Sequence, residues 1–186
     1  MRLFVAIELS DEVRKALSQT QAALKRDCPD VRWIPPEQLH LTVKFLGEVA
    51  DGDVNEACKA MERAAEQSKP FTMRTGDCGC FPERGPVRIV WTRCVEDRDL
   101  LAGCVAAVEA QFEPLGFPPE RRPFAAHITI GRVRDDRSQD SLRSKVAAAR
   151  GNSMEQEVSL LMMMSSTLSP RGSIYTGVSR ANLCGI

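Results

Sequence analysis

Ile34-Pro35-Pro36-Glu37-Gln38-Leu39-His40-Leu41-Thr42-Val43-Lys44-Phe45-Leu46 is echoed late in the chain by Arg122-Pro123-Phe124-Ala125-Ala126-His127-Ile128-Thr129-Ile130-Gly131-Arg132-Val133. In both segments proline precedes a His-apolar-Thr-apolar run, and a helix-type segment follows. Two similar halves, each contributing a similar strand, explain the echo economically, and two lobes facing each other across a cleft would follow. Successive side chains of a strand alternate faces, so His40 and Thr42 point one way while Leu41 and Val43 point the other. His127 and Thr129 stand in the same relation to Ile128 and Ile130. Each run thus offers an imidazole and a hydroxyl on one face and an apolar anchor behind.

Outward from these runs, residues 3–9 read as a short strand, and Ser10 with Asp11 and Glu12 reads as a helix start. Pro29 ends that helix region, and Trp33 to Pro36 form a rigid approach to the strand at 39–46. Residues 51–67 have helical spacing through Val54, Ala57 and Met61, capped by Asp51 or Asp53. Strands are expected at 71–73 and 87–91, with the Gly- and Pro-rich stretch 76–86 between them as a surface loop. A third helix is expected at 97–112, the second motif strand at 126–133, and a short helix near 141–149. Strands at 158–164 and 174–178 close the chain, and Met162, Met163 and Met164 read as core filling. This order suits an α+β protein of mainly antiparallel sheet with helices outside it.

The chain has 186 residues, 43% of them hydrophobic, enough to bury a full core as one domain over 1–186, built in two lobes. Lys plus Arg and Asp plus Glu each total 25, so no strong overall field exists to hold a long polyanion. A nucleic acid partner would be an end or a short piece, met by local charge. Arg121, Arg122, Arg132, Arg134 and Arg137 supply such charge around the second histidine, although, taken without the histidine, a solvated face is the plainer reading of such a run. The seven cysteines, an odd number, follow no C-x-x-C spacing, which fits free thiols in a reducing compartment. Glu8 interrupts the first apolar run before it reaches signal-peptide length, and no stretch approaches the roughly 20 apolar residues of a membrane span. A cytoplasmic, monomeric protein with no membrane partner is expected.

The chemistry rests on the two motifs, which use every histidine in the chain. Two such faces turned to one cleft would surround a small anion with two imidazoles and two hydroxyls. With an unperturbed pKa of about 6.5, one imidazole can be neutral and the other charged at neutral pH, a base and an acid for phosphoryl chemistry. The hydroxyls of Thr42 and Thr129 can donate to non-bridging oxygens. Arg132 lies at an odd offset from His127 and faces the other side of an ideal strand; it reaches the anion only if Gly131 breaks the alternation with a bulge. The competing readings are half-buried strand histidines bonded to a neighbouring Thr, a zinc site, and a Cys nucleophile. Neither motif carries a second ligand at zinc spacing, and a Cys–His pair leaves one motif unexplained. No metal and no cofactor are expected.

These residues resemble the 2H phosphoesterases, and within them the bacterial and archaeal RNA 2′,3′-cyclic phosphodiesterases once described as 2′-5′ RNA ligases. Arg2 to Ile7 is similar to that subfamily's opening, and Trp33 to Pro36 with His40 to Glu48 to its first motif and flanks. Phe81-Pro82 and Pro86 to Trp91 resemble its central segment, His127 to Arg132 its second motif, and Leu168, Pro170, Gly172 and Tyr175 its ending. The resemblance implies a bilobal α+β fold, two mainly antiparallel sheets with pseudo-twofold symmetry around a central cleft and helices outside. It further implies metal-independent hydrolysis of 2′,3′-cyclic phosphate ends to 2′-phosphate. In that scheme His127 accepts a proton from water and His40 donates one to the leaving O3′, while Thr42, Thr129 and Arg132 hold the phosphate. RNA ends or short oligonucleotides would be the partners. A cyclic phosphate on another nucleotide, 2′-5′ joining of RNA ends, or RNA-end binding without turnover are the alternatives. Ala126 departs from the family, which commonly has proline there, and loosens the approach to the second motif.

Overall fold

The apolar run at the N-terminus becomes β1 (Arg2–Glu8), a central strand buried on both faces, with Leu3, Val5 and Ile7 on one side and Phe4 and Ala6 on the other. In this computed structural model residues 1–96, 98–134, 139–149, 151–169 and 172–185 are described. Ser10 accepts from the Val13 N–H at 3.2 Å and so caps α1 (Asp11–Lys25), whose Val13, Leu17 and Leu24 are buried as their spacing requires. The remaining strands are β2 (Val31–Trp33), β3 (His40–Glu48), β4 (Phe71–Phe81), β5 (Ile89–Val95), β6 (His127–Val133), β7 (Glu155–Val158), β8 (Leu160–Ser169) and β9 (Gly172–Asn182). The remaining helices are α2 (Val54–Glu66), α3 (Leu100–Phe112) and α4 (Gln139–Ala148).

Every pairing is antiparallel, in the order β7-β4-β5-β6-β3-β1-β8-β9, with β2 lying along β6. One half, β3-β1-β8-β9, and the other, β6-β5-β4-β7, each begin with a motif strand, so the symmetry implied by the repeated motif is a symmetry of sheet order. The halves are joined edge to edge at β3 and β6, where Leu41 faces Ile128. Both side chains are fully buried and belong to the core that also takes Leu17, Met61, Val105 and Val108 from the helices. α2 and α3 pack together and on β3, β8 and β9, while α1 meets β2 and α4 meets β4. The opposite face carries the histidines. The sheet curls there, since Tyr175 on β9 reaches the His40 ring, three strands away in sheet order.

Several boundaries differ from the sequence reading. The stretch 76–86 is not one loop: β4 continues through Gly76, Cys78 and Cys80 to Phe81. A bulge between Thr75 and Cys78 absorbs the irregularity, and Gly79 lets the Trp91 ring lie directly on the backbone of β4. Residues 31–33, of which only Trp33 is in the approach read at 33–36, form β2. Glu155–Val158 is a strand separate from β8, and 51–53 is a 3-10 turn ahead of α2, with no side-chain cap bond from Asp53. Helix α3 begins at Leu100; Asp97, taken as its start, lies outside the described residues, as do Arg137 and Pro170. Met162 and Met163 are core residues, while Met164 is half-buried.

Candidate active site

Where the halves meet, antiparallel pairing with Leu41 opposite Ile128 sets His40 beside Thr129 and Thr42 beside His127, continuing the register one step each way. All four alternate away from the core pair and are half-buried on the groove face. His40 and His127 are then diagonal neighbours, their Cα atoms about 7–8 Å apart by regular sheet geometry. A tetrahedral anion fits between imidazoles at that spacing. The structure thus brings His40, His127, Thr42 and Thr129 together.

Each imidazole is held in the same way. His40 Nδ1 lies 2.8 Å from the Gln38 carbonyl and His127 Nδ1 lies 2.6 Å from that of Ala125, in both cases the residue two places earlier. A carbonyl oxygen only accepts, so Nδ1 carries the hydrogen and Nε2 is left to exchange a proton with a ligand. The Gln38 carbonyl is fixed by the 3-10 turn Pro36–Gln38, where the prolines cannot join a ladder. Gln21 on α1 clamps this connection to β6, donating at 2.8 Å to the carbonyls of both Ile34 and Ile130. Before His127, the Ala126 carbonyl accepts from the Cys94 N–H at 3.0 Å, so β5 holds the approach that proline would otherwise stiffen.

Aromatic rings flank both histidines, each from a segment that resembles the family although the His-x-Thr motifs themselves do not include them. Phe4 and Tyr175 stand 4.9 and 5.0 Å from the His40 ring, and Phe81 and Trp91 stand 5.1 and 6.3 Å from that of His127. They come from four different strands, β1, β9, β4 and β5, so only the pairing of those strands shows that they converge on the histidines. Burial holds the His40 imidazole below its ordinary value, with the charge of Arg132 adding to it and the Gln38 hydrogen bond opposing both.

Arg132 reaches the groove face by a bulge at Ile130, one residue before the Gly131 where the sequence reading would have it. Trp91 pairs with Thr129 but Val90 with Gly131, so Ile130 is the extra residue and the alternation shifts by one. The same burial sequence recurs in β3, where Val43 is extra, Lys44 turns into the core and Phe45 turns out onto the groove. Arg132 and Phe45 therefore occupy equivalent corners, one charged and one an exposed ring. Lys44 pairs with Glu109 and donates to the Pro118 carbonyl at 3.0 Å, away from the groove. Arg121, Arg122 and Arg134 are exposed.

None of the seven cysteines is in a disulfide. Burial pushes Cys78 up to about 11 and Cys94 up to about 12, the reverse of what a nucleophilic thiolate needs. Among the described residues no three His, Cys, Asp or Glu side chains converge in a way that could hold a metal ion. No described helix is long and apolar enough to cross a membrane.

A curled antiparallel sheet presenting paired His-x-Thr strands in one groove is the architecture of a 2H phosphoesterase. The family described as LigT like Phosphoesterase matches residues 7–91 and 94–175, and the chain belongs to it. It is a hydrolase of the phosphodiesterase class. The chain is 30% identical over 177 residues to the RNA 2′,3′-cyclic phosphodiesterase of Methanothermobacter thermautotrophicus, covering 95% of each chain. It is 33% identical over 196 aligned positions to the Thermus thermophilus protein of that name, covering 100% of this chain and 91% of the other. Among solved structures it is similar to TT0787 of Thermus thermophilus, with a TM-score of 0.81, 30% identity and coverage of 100% and 99%. It also resembles E. coli LigT complexed with 3′-AMP, with a TM-score of 0.80, 25% identity and coverage of 98% and 97%.

Proposed function

We propose that this protein hydrolyses the 2′,3′-cyclic phosphate at RNA 3′ ends to a 2′-phosphate, with His40 and His127 as the acid and base. The observation that carries the reading is the diagonal pair of imidazoles, each with Nδ1 bonded to a carbonyl and Nε2 bonded to none of the described residues, and each beside a threonine hydroxyl. His127 Nε2 takes a proton from water as its oxygen bonds to phosphorus. The P–O3′ bond breaks, and His40 Nε2 gives its proton to O3′. Thr42 and Thr129 donate to the non-bridging oxygens, and Arg132 supplies positive charge at the corner. Assignment of acid to His40 follows the family. Unliganded, His40 is held toward its neutral form; an anion in the groove offsets the Arg132 charge and favours the proton His40 must deliver. No metal enters this scheme.

RNA is favoured over other cyclic phosphates by the names of the relatives and by the exposed Phe45 ring on the groove face, on which a base can stack. The test is hydrolysis of a nucleoside 2′,3′-cyclic phosphate in excess chelator, with the product resolved by phosphorus NMR. A 2′-phosphate is expected. A 3′-phosphate, or an intact substrate, overturns the proposal, and tight binding without turnover would make this an RNA-end binding module.

A further inference from the structure

Arg32 stands directly opposite Arg132 in the β2–β6 pairing. Its neighbours Val31 and Trp33 pack on the core side against Gly131, so Arg32 projects to the groove face, as Arg132 does. Both are exposed, and among the described residues neither has a carboxylate in ion-pair range. Like charges directly opposite on neighbouring strands repel, so the pair is unfavourable until an anion lies between or across them. The Arg32 guanidinium also reaches the start of β9, against the backbone of Gly172, where a side chain would collide with it. Arg32 thus lies on the groove floor beneath the hairpin whose Tyr175 flanks His40.

The position is specific. Along the edge of β6, β3 contributes His40 beside Thr129, and β2 then contributes Arg32 beside Arg132, beyond the scissile site and separated from it by the Ile130 bulge. Thr129 and Arg132 are three residues apart, about 10 Å along the strand; Arg132 is the guanidinium whose charge reaches His40, which leaves Arg32 to a second anion farther along the groove. That is the direction in which the polynucleotide leaves the reacting ribose if its base lies toward Phe45.

We infer that Arg32 binds the phosphate on the 5′ side of the terminal ribose, making the groove selective for a phosphorylated or oligomeric 3′ end over a bare nucleoside 2′,3′-cyclic phosphate. This rests on the proposed function and adds a second anion subsite to it. A guanidinium is suited to the task because its planar fork grips two phosphate oxygens.

The experiment compares kcat/KM for a dinucleotide ending in a 2′,3′-cyclic phosphate with that for the corresponding mononucleoside, in the wild type, Arg32→Met and Arg32→Lys. The preference for the dinucleotide should fall about tenfold in Arg32→Met, mostly through KM, and be partly restored in Arg32→Lys. An unchanged ratio, or equal losses on both substrates, overturns the inference. A second arm does not need turnover: binding of a fluorescent trinucleotide ending in a 2′-phosphate is followed against salt. The slope of log K on log salt should shrink by about 0.7 in Arg32→Met, and an unchanged slope counts against Arg32 even if hydrolysis itself fails and the functional proposal falls with it.

Discussion

Leu41 and Ile128 face each other across the seam between the two halves of the sheet, and from that pair the relative positions of both His-x-Thr motifs follow. Each is fully buried. Replacing Ile128 by Ala should cost about 2–5 kcal/mol of stability, the range for opening a cavity in a packed core. It should also lower kcat/KM per folded molecule, because the spacing of the imidazoles depends on the seam. Urea denaturation and kinetics on the same preparation check both; a destabilised but fully active variant would show that the seam does not set the site.

Thr42→Val and Thr129→Val keep the β-branched shape and remove the hydroxyl. If both donate to the phosphate in the transition state, each should reduce kcat by about tenfold to a thousandfold with little change in melting temperature. A change confined to KM would assign them to ground-state binding instead.

Burial and Arg132 hold the native His40 pKa below its unfolded value of 6.5. The unfolded chain therefore binds more protons in that window, so this contribution to stability is present above pH 6.5 and is lost as pH falls through the lowered native pKa. Inorganic phosphate should move the midpoint upward, and its affinity should rise as pH falls. An NMR titration of the ring proton measures both shifts, and a midpoint above 6.5 in the free protein contradicts the burial argument.

Lys44 sits four residues after His40, where ideal alternation would aim it at an anion, yet it is buried against Glu109. Lys44→Ala leaves that carboxylate and the Pro118 carbonyl without their partner and should destabilise the fold by about 3–5 kcal/mol. Activity per folded molecule should stay near wild type. A large loss of kcat without unfolding would place Lys44 in the chemistry after all.

Lys44 and Arg132 also mark where reading the sequence stopped. The motif strands, the capped α1 and the apolar face of α2 were legible because each follows one period over several residues. Ideal alternation puts Lys44 on the groove and Arg132 in the core; a bulge in each strand reverses both, and a bulge is a property of the paired strand that leaves little trace in one chain segment. The same limit hid the second half of β4, whose Gly76 and Gly79 read as loop residues although Gly79 is there to seat Trp91. Tyr175 and Phe4 could not be joined to His40 from spacing, since the curl of the sheet brings them together. Arg32 is not legible as a groove residue for a related reason: its partner is 100 positions away in β6.

The central claim is that His40 and His127 act as one unit on a single phosphorus. The most direct measurement is kcat on a nucleoside 2′,3′-cyclic phosphate for His40→Ala, His127→Ala and the double variant, with folding checked by circular dichroism. Each single change should lower kcat by about a hundredfold to ten-thousandfold, and the double variant should be little worse than the weaker single one, as for groups that work only together. Wild-type activity in either single variant, or losses that simply multiply in the double, would contradict the account.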